Sequence, residues 1–187
     1  MGRASREMDV LELFFNYPSK HWRFSEIKGS VSISDSKISR WLKKLAQQGI
    51  VRRVKFKGRM PYYVGNYEAA EYQNAKKVFA LNRFYDTGFL NHLSSLQSAK
   101  SVIIFGSFGR ADWHSGSDID IFVYGSAAGL DVRGYSERLG RAIQLFVCGN
   151  RKDFGKLGSR LIKNIMLGNI IKGDPGFLER AAKCLNS

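Results

Sequence analysis

Apolar positions recur at helical spacing from the start of the chain. Val10, Leu11, Phe14 and Phe15 predict a helix over residues 8–17, stopped by Pro18. Phe24 and Ile27 mark a second short helix near 25–29. Ser34-Asp35 is an N-cap pair, and it opens a helix over 36–48 that Gly49 ends. Ile38, Trp41, Leu42 and Leu45 form its i, i+3, i+4, i+7 stripe, which makes Trp41 a core residue. Ser36, Lys37, Arg40, Lys43, Lys44 and Gln47 occupy the opposite face. Residues 50–56 read as a strand and 62–64 as its partner, joined by the basic tip Lys57-Gly58-Arg59-Met60-Pro61.

Further on, Tyr72, Ala75, Phe79, Tyr85, Phe89, Leu93 and Leu96 predict helix across 68–97, split in two at Asp86-Thr87-Gly88. No Pro-rich or Ser/Gly linker separates the halves, so a stiff connection is expected. Residues 101–105 and 117–123 read as strands, and 141–148 as a third. An amphipathic helix is expected over 156–172, with Leu157, Leu161, Ile165 and Met166 on one side. Gly173-Asp174-Pro175 ends it, and a short helix to Cys184 follows. The sequence has no internal repeat and no low-complexity segment.

Composition narrows the classes. The chain has 187 residues and a net charge of +14, from 30 Lys+Arg against 16 Asp+Glu. With 44% hydrophobic and 13% aromatic residues it has a core to bury. No stretch reaches the ~18 apolar residues of a membrane helix. The opening Met-Gly-Arg-Ala-Ser-Arg has no apolar signal core, and Arg6 breaks the myristoylation pattern. Cys148 and Cys184 are too few for a disulfide scaffold and are expected to be buried thiols. The expectation is a cytoplasmic protein without a membrane partner. The excess charge favours a polyanionic partner. Residues 36–67 hold nine cations and no acid, so their repulsion calls for a docking anion.

Candidate chemistry sits between the strands at 101–105 and 117–123. Gly106 permits close backbone approach, and Ser107 offers a hydroxyl and an N–H. A helix starting there would turn further N–H groups toward an anion, and Arg110 adds a forked donor. Asp118 and Asp120 lie two apart on a strand, so both carboxylates face one way. Such a pair resists double ionisation, and a divalent cation relieves it. Mg²⁺ takes carboxylate oxygens and bridges to substrate phosphates. The lone loop residue His114 is given no role.

Two resemblances follow from these motifs. Helix, helix, capped helix with a basic outer face and basic hairpin resembles a winged helix-turn-helix over residues 5–66. It implies that the capped helix enters a major groove of double-stranded DNA, with Ser36, Lys37, Arg40 and Lys44 facing it. Arg53, Lys57 and Arg59 would contact phosphates. Such modules also serve in dimerisation, which leaves a homodimer open. Gly106-Ser107, ten residues, then Asp118-Ile119-Asp120 resembles the signature of the polymerase-β-type nucleotidyltransferases, especially their minimal branch, over about 75–172. That resemblance implies a small mixed sheet flanked by helices, with NTP and Mg²⁺ as substrate and cofactor. Gly106, Ser107 and Arg110 would bind nucleotide, and Asp118 and Asp120 would be catalytic metal ligands. Active members carry a third carboxylate on a later strand. Here the matching position is Gln144, and Glu137 and Asp153 lie off the strand pattern.

The expected fold class is therefore α+β, with a winged helix over 1–67, a helical connector over 68–97 and a nucleotidyltransferase-like domain over 98–187. One functional reading is a DNA-binding protein that transfers a nucleoside monophosphate to a protein or nucleic-acid acceptor. The resemblance to minimal transferases implies an antitoxin-like role with a HEPN-type toxin as acceptor. The alternative is a winged-helix regulator whose degenerate transferase domain only binds nucleotide. A third is nucleotide addition to RNA.

Overall fold

The computed structural model describes residues 6–150, 152–153, 156–174 and 176. Its contacts divide the chain into two compact units. One comprises residues 1–79 with 113–115, the other 80–112 with 116–187.

In the first unit three helices precede a hairpin: α1 (Glu7–Asn16), α2 (Phe24–Ser30), α3 (Asp35–Gln47), β1 (Val51–Val54) and β2 (Tyr62–Gly65). The stripe on α3 is buried at Ile38, Trp41, Leu42 and Leu45. Ser34 takes the N-cap position, where its carbonyl accepts the backbone N–H groups of Lys37 and Ile38 at 3.0 Å each. Gly49, at φ +73°, adopts the left-handed conformation that ends the helix. α4 (Ala70–Asp86) begins in this unit. Phe15 meets Tyr72, Phe79 and Trp113 edge-on at 5.2, 5.3 and 6.2 Å. Tyr72 is fully buried and donates its hydroxyl to the Phe14 carbonyl at 2.8 Å. Buried Lys76 donates to the Trp113 carbonyl, with its ammonium 4.6 Å from the Trp113 ring.

The hairpin is antiparallel, with Val51 opposite Gly65 and Val54 opposite Tyr62. Its first strand is shorter than the pattern over 50–56 suggests. Pro61, which lacks an N–H, precedes β2 and cannot extend the ladder. Lys55 and Phe56 therefore belong to the turn, where the Arg59 N–H donates to the Phe56 carbonyl at 3.1 Å. A single bridge from Trp22 to Tyr63 adds a third piece to this ribbon, which the sequence reading did not contain.

The second unit holds α5 (Phe89–Ser95), β3 (Ala99–Phe105), α6 (Gly106–Arg110), β4 (Ile119–Gly125), α7 (Val132–Leu139), β5 (Ile143–Cys148), α8 (Ser159–Met166) and β6 (Asn169–Lys172). The strand order is β5-β4-β3-β6. β4 and β6 run antiparallel to β3, and β5 runs parallel to β4, so the sheet is small and mixed with helices around it. Ile103, Phe105, Phe122 and Cys148 cluster with Ile162 and Ile165 of α8. Burying each of those isoleucines contributes about 1.5–3 kcal/mol. Cys148 is a buried thiol, and burial, then the charge of Asp153, raises its pKa.

The helix expected over 156–172 ends at Met166, and residues 169–172 form β6 beside β3. Gly168 explains the break: a Cβ there would lie 2.5 Å from Ile103 Cγ2 and 2.8 Å from the Ile104 carbonyl. Ile165 of the expected stripe is buried, with Leu157 and Leu161 partly buried against the same core, but Ile162 joins it and Met166 is 40% exposed. Helix α7 was absent from the pattern reading. Its signal was Asp131, whose carboxylate caps it by accepting the Gly134 N–H at 2.9 Å. The short helix expected up to Cys184 lies outside the described residues. Among the described residues no helix is long and apolar enough to cross a membrane.

Candidate functional site

β3 ends at Phe105 and the chain turns sharply at Gly106, which has φ +65°. A Cβ on Gly106 would stand 2.0 Å from Asp120 Oδ2, so only glycine lets the turn and this carboxylate share the space. The opposed pair Phe105–Asp120 in the antiparallel β3–β4 ladder sets that approach. Ser107 is half-buried, and its carbonyl accepts the Asp112 N–H at 3.0 Å. The helix expected after the turn is a single turn, α6.

Strand β4 starts at Ile119, so Asp118 stands one residue before it and is exposed, whereas Asp120 lies within it and is half-buried. Burial raises the Asp120 pKa, the charge of Asp118 raises it further, and Arg110 opposes both. The three groups therefore share one electrostatic neighbourhood. Arg110 is not a bare donor: its Nε meets Asp112 Oδ2 at 2.9 Å and its Nη2 meets Oδ1 at 3.4 Å. Exposed Gln144 is the partner of Asp120 in the parallel β4–β5 register. Paired residues of parallel strands project to the same face, so Gln144 shares the sheet face of that carboxylate.

Sequence reasoning missed Arg141. Its Nη1 donates to the Ser117 carbonyl at 3.0 Å, and its guanidinium lies 5.2 Å from the Phe108 ring centroid. Ile119 N–H donates to the Ala142 carbonyl at 2.9 Å. These contacts hold the segment carrying Asp118 against the start of β5. An arginine just before a strand carries no pattern that would single it out.

A divalent cation suits this donor set. Two carboxylates, one of them resisting ionisation because of burial and its like-charged neighbour, are what such an ion neutralises. Among the described residues no group of three or more His, Cys, Asp or Glu is placed to hold a metal. A two-carboxylate site leaves the remaining positions to water and phosphate, as Mg²⁺ prefers.

Ser36, Lys37, Arg40, Arg53, Lys57 and Arg59 are all exposed. Lys44 is exposed as well, and its ammonium pairs with Glu7 of α1 at 2.9 Å. The repulsion within residues 36–67 is thus relieved in part by an acid outside the stretch. Arg53 lines a groove of about 490 Å³ between α3 and the hairpin, together with Ser39, Lys43, Gln47 and Tyr63.

Residues 87–146 match the family model described as "Nucleotidyltransferase domain". The chain therefore carries a nucleotidyltransferase domain there, and that span contains Gly106, Ser107, Arg110, Asp118, Asp120 and Gln144. No curated protein matches the chain. Solved structures similar to it include two toxin-antitoxin proteins. One is the toxin-antitoxin MntA-HpeT in a mutant form, at 16% identity over 59% of this chain and 83% of that chain, with a TM-score of 0.36. The other is a toxin-antitoxin with AMP-PNP, at 19% identity over 61% of this chain and 83% of that chain, with a TM-score of 0.37.

Proposed function

We propose that the chain is a nucleic-acid-binding protein whose nucleotidyltransferase domain takes NTP with Mg²⁺ and transfers a nucleoside monophosphate to a macromolecular acceptor, breaking the α–β phosphoanhydride bond and releasing pyrophosphate. The observation that carries this reading is the approach of Gly106 to Asp120, with Asp118 beside it, inside the matched domain. On this reading Gly106 and Ser107 hold the triphosphate through backbone N–H and hydroxyl groups. Asp118 and Asp120 hold the metal, and Arg110 adds a cation whose fork is shared with Asp112. Bound Mg²⁺ would neutralise charge developing on the phosphates. The resemblance of the signature to minimal transferases makes a protein acceptor of the HEPN-toxin class the first to try.

In the same proposal residues 1–67 form a winged helix-turn-helix that docks α3 in a major groove of duplex DNA. Residues 68–97 are the connector, and 98–187 the transferase domain. The supports are the order of α1, α2, α3 and the β1–β2 hairpin, and the exposed cations of α3 and the turn. On this reading Lys37 and Arg40 would read bases, and Arg53, Lys57 and Arg59 would contact phosphates.

A second reading is favoured by Gln144. An amide cannot accept the nucleophile's proton as a carboxylate does, and Gln144 stands where Asp120's neighbour would supply that base. The domain would then bind nucleotide without transferring it, and the chain would act as a DNA-binding regulator.

Incubation of the protein with labelled ATP, Mg²⁺ and cell lysate separates the two. Label on a macromolecule, lost in the Asp118→Asn/Asp120→Asn double variant, supports transfer. Mg²⁺-dependent ATP binding without label transfer supports the regulator.

A further inference from the structure

The turn between β1 and β2 leaves large apolar side chains in water: Phe56 is 57% exposed and Met60 80%. With His21, Arg23, Arg59 and Tyr62 they line a hollow of about 790 Å³. Its rings are ordered. His21 stacks on Tyr62 with centroids 4.1 Å apart and planes 24° from parallel, and Phe56 lies 6.4 Å from Tyr62 at 35°. Backbone hydrogen bonds in both directions between Trp22 and Tyr63, at 2.7 and 2.8 Å, pin residues 21–23 beside β2. The Glu26 carboxylate is already engaged, accepting the Arg23 backbone N–H at 2.7 Å and facing Lys20 at 3.6 Å. The two guanidinium groups therefore set the charge of the rim.

Rings and guanidinium groups gathered at a surface match one kind of ligand especially well. Bases stack on aromatic faces, and guanidinium groups pair with the flanking phosphates. A paired base in a duplex offers only its edges, because its faces are covered by neighbours. A ring cluster on the hairpin therefore has no partner in an intact duplex, whereas an unpaired base presents a free face. The hollow is also large enough for one nucleotide.

We propose that this hollow is a stacking site for an unpaired nucleobase of a nucleic-acid strand. Phe56 and Tyr62 contact the base, and Arg23 and Arg59 the adjoining phosphates. The site extends the nucleic-acid reading of the first unit and, apart from Arg59, uses residues that reading leaves idle.

The test uses the full chain and 2-aminopurine fluorescence. One probe is a short single strand carrying the fluorescent base at its centre, the other a hairpin duplex in which that base is paired. Protein should quench the single strand by stacking. Phe56→Leu, which keeps apolar volume at an exposed position but removes the ring, should weaken single-strand affinity about tenfold and leave the duplex unchanged. Arg40→Ala on α3 should do the reverse, so failure of the duplex reading shows separately. Absence of quenching, or equal affinity of Phe56→Leu and the wild type for the single strand, overturns the proposal. Affinity for AMP equal to or tighter than that for the single strand reassigns the hollow to free nucleotide and also overturns it. Phe56-dependent retention on anionic vesicles without quenching does the same in favour of a membrane surface.

Discussion

Gly106 and Asp120 occupy one another's space: the missing Cβ of Gly106 would fall 2.0 Å from Asp120 Oδ2. The glycine also sits at φ +65°, which a side chain strains. Gly106→Ala should therefore destabilise the protein by about 1–3 kcal/mol in denaturant titration, and it should displace Asp120. NTP binding should fall further than stability accounts for. A variant with wild-type stability and affinity would show that the turn and the carboxylate are independent.

Asp120 should cost the fold stability at neutral pH. Burial and Asp118 raise its folded pKa, so the folded state holds the proton more tightly than the unfolded chain. Its contribution favours folding below the ordinary Asp range and is lost as pH rises through the raised value. Asp120→Asn removes that cost. Thermal melts should show the variant above wild type near neutral pH, with the gain vanishing below about pH 4. Mg²⁺ should raise the wild-type melting temperature and not the variant's.

Gln144 stands beside Asp120 in the parallel register, which makes Gln144→Glu the informative change. It adds a third carboxylate to the pair, so Mg²⁺ affinity should rise. If transfer lacks only a base, its rate should rise by some part of the ~10²–10⁴ such a group supplies. A wild type that transfers well, and loses transfer on this substitution, would overturn the degenerate reading.

On the basic surface the outcomes should differ by residue. Arg40→Ala should relax sequence preference at one base by about 1–3 kcal/mol if Arg40 reads a base edge. Arg59→Ala should weaken all duplexes alike and flatten the salt dependence. Lys44→Ala should have the smallest effect of the three on DNA, because its ammonium is committed to Glu7. Retention on duplex columns across a salt series checks all three.

What the sequence revealed depended on whether the signal was local. Helical stripes such as Ile38, Trp41, Leu42 and Leu45 are local, and they are buried. The spacing from Gly106-Ser107 to Asp118 and Asp120 is local too, and the fold brings Gly106, Asp118 and Asp120 together. Strand β6 was missed because four residues carry little period of their own; its place is set by β3 and by the fit of Gly168 against Ile103. Arg141 reaching Ser117, Lys44 reaching Glu7 and Arg110 reaching Asp112 depend on side-chain paths that spacing does not fix. The ring cluster at Phe56 and Tyr62 was invisible for a related reason. Its members come from separate segments, and an alternating pattern cannot show that Phe56 falls in a turn.

The most direct test of the central claim is calorimetric titration of the full chain with a non-hydrolysable NTP, with and without Mg²⁺. Binding should require the metal, and it should disappear in the Asp118→Asn/Asp120→Asn variant while that variant remains folded. Equal affinity without Mg²⁺, or undiminished binding in the folded double variant, would contradict the assignment of Asp118 and Asp120 to a metal-dependent nucleotide site.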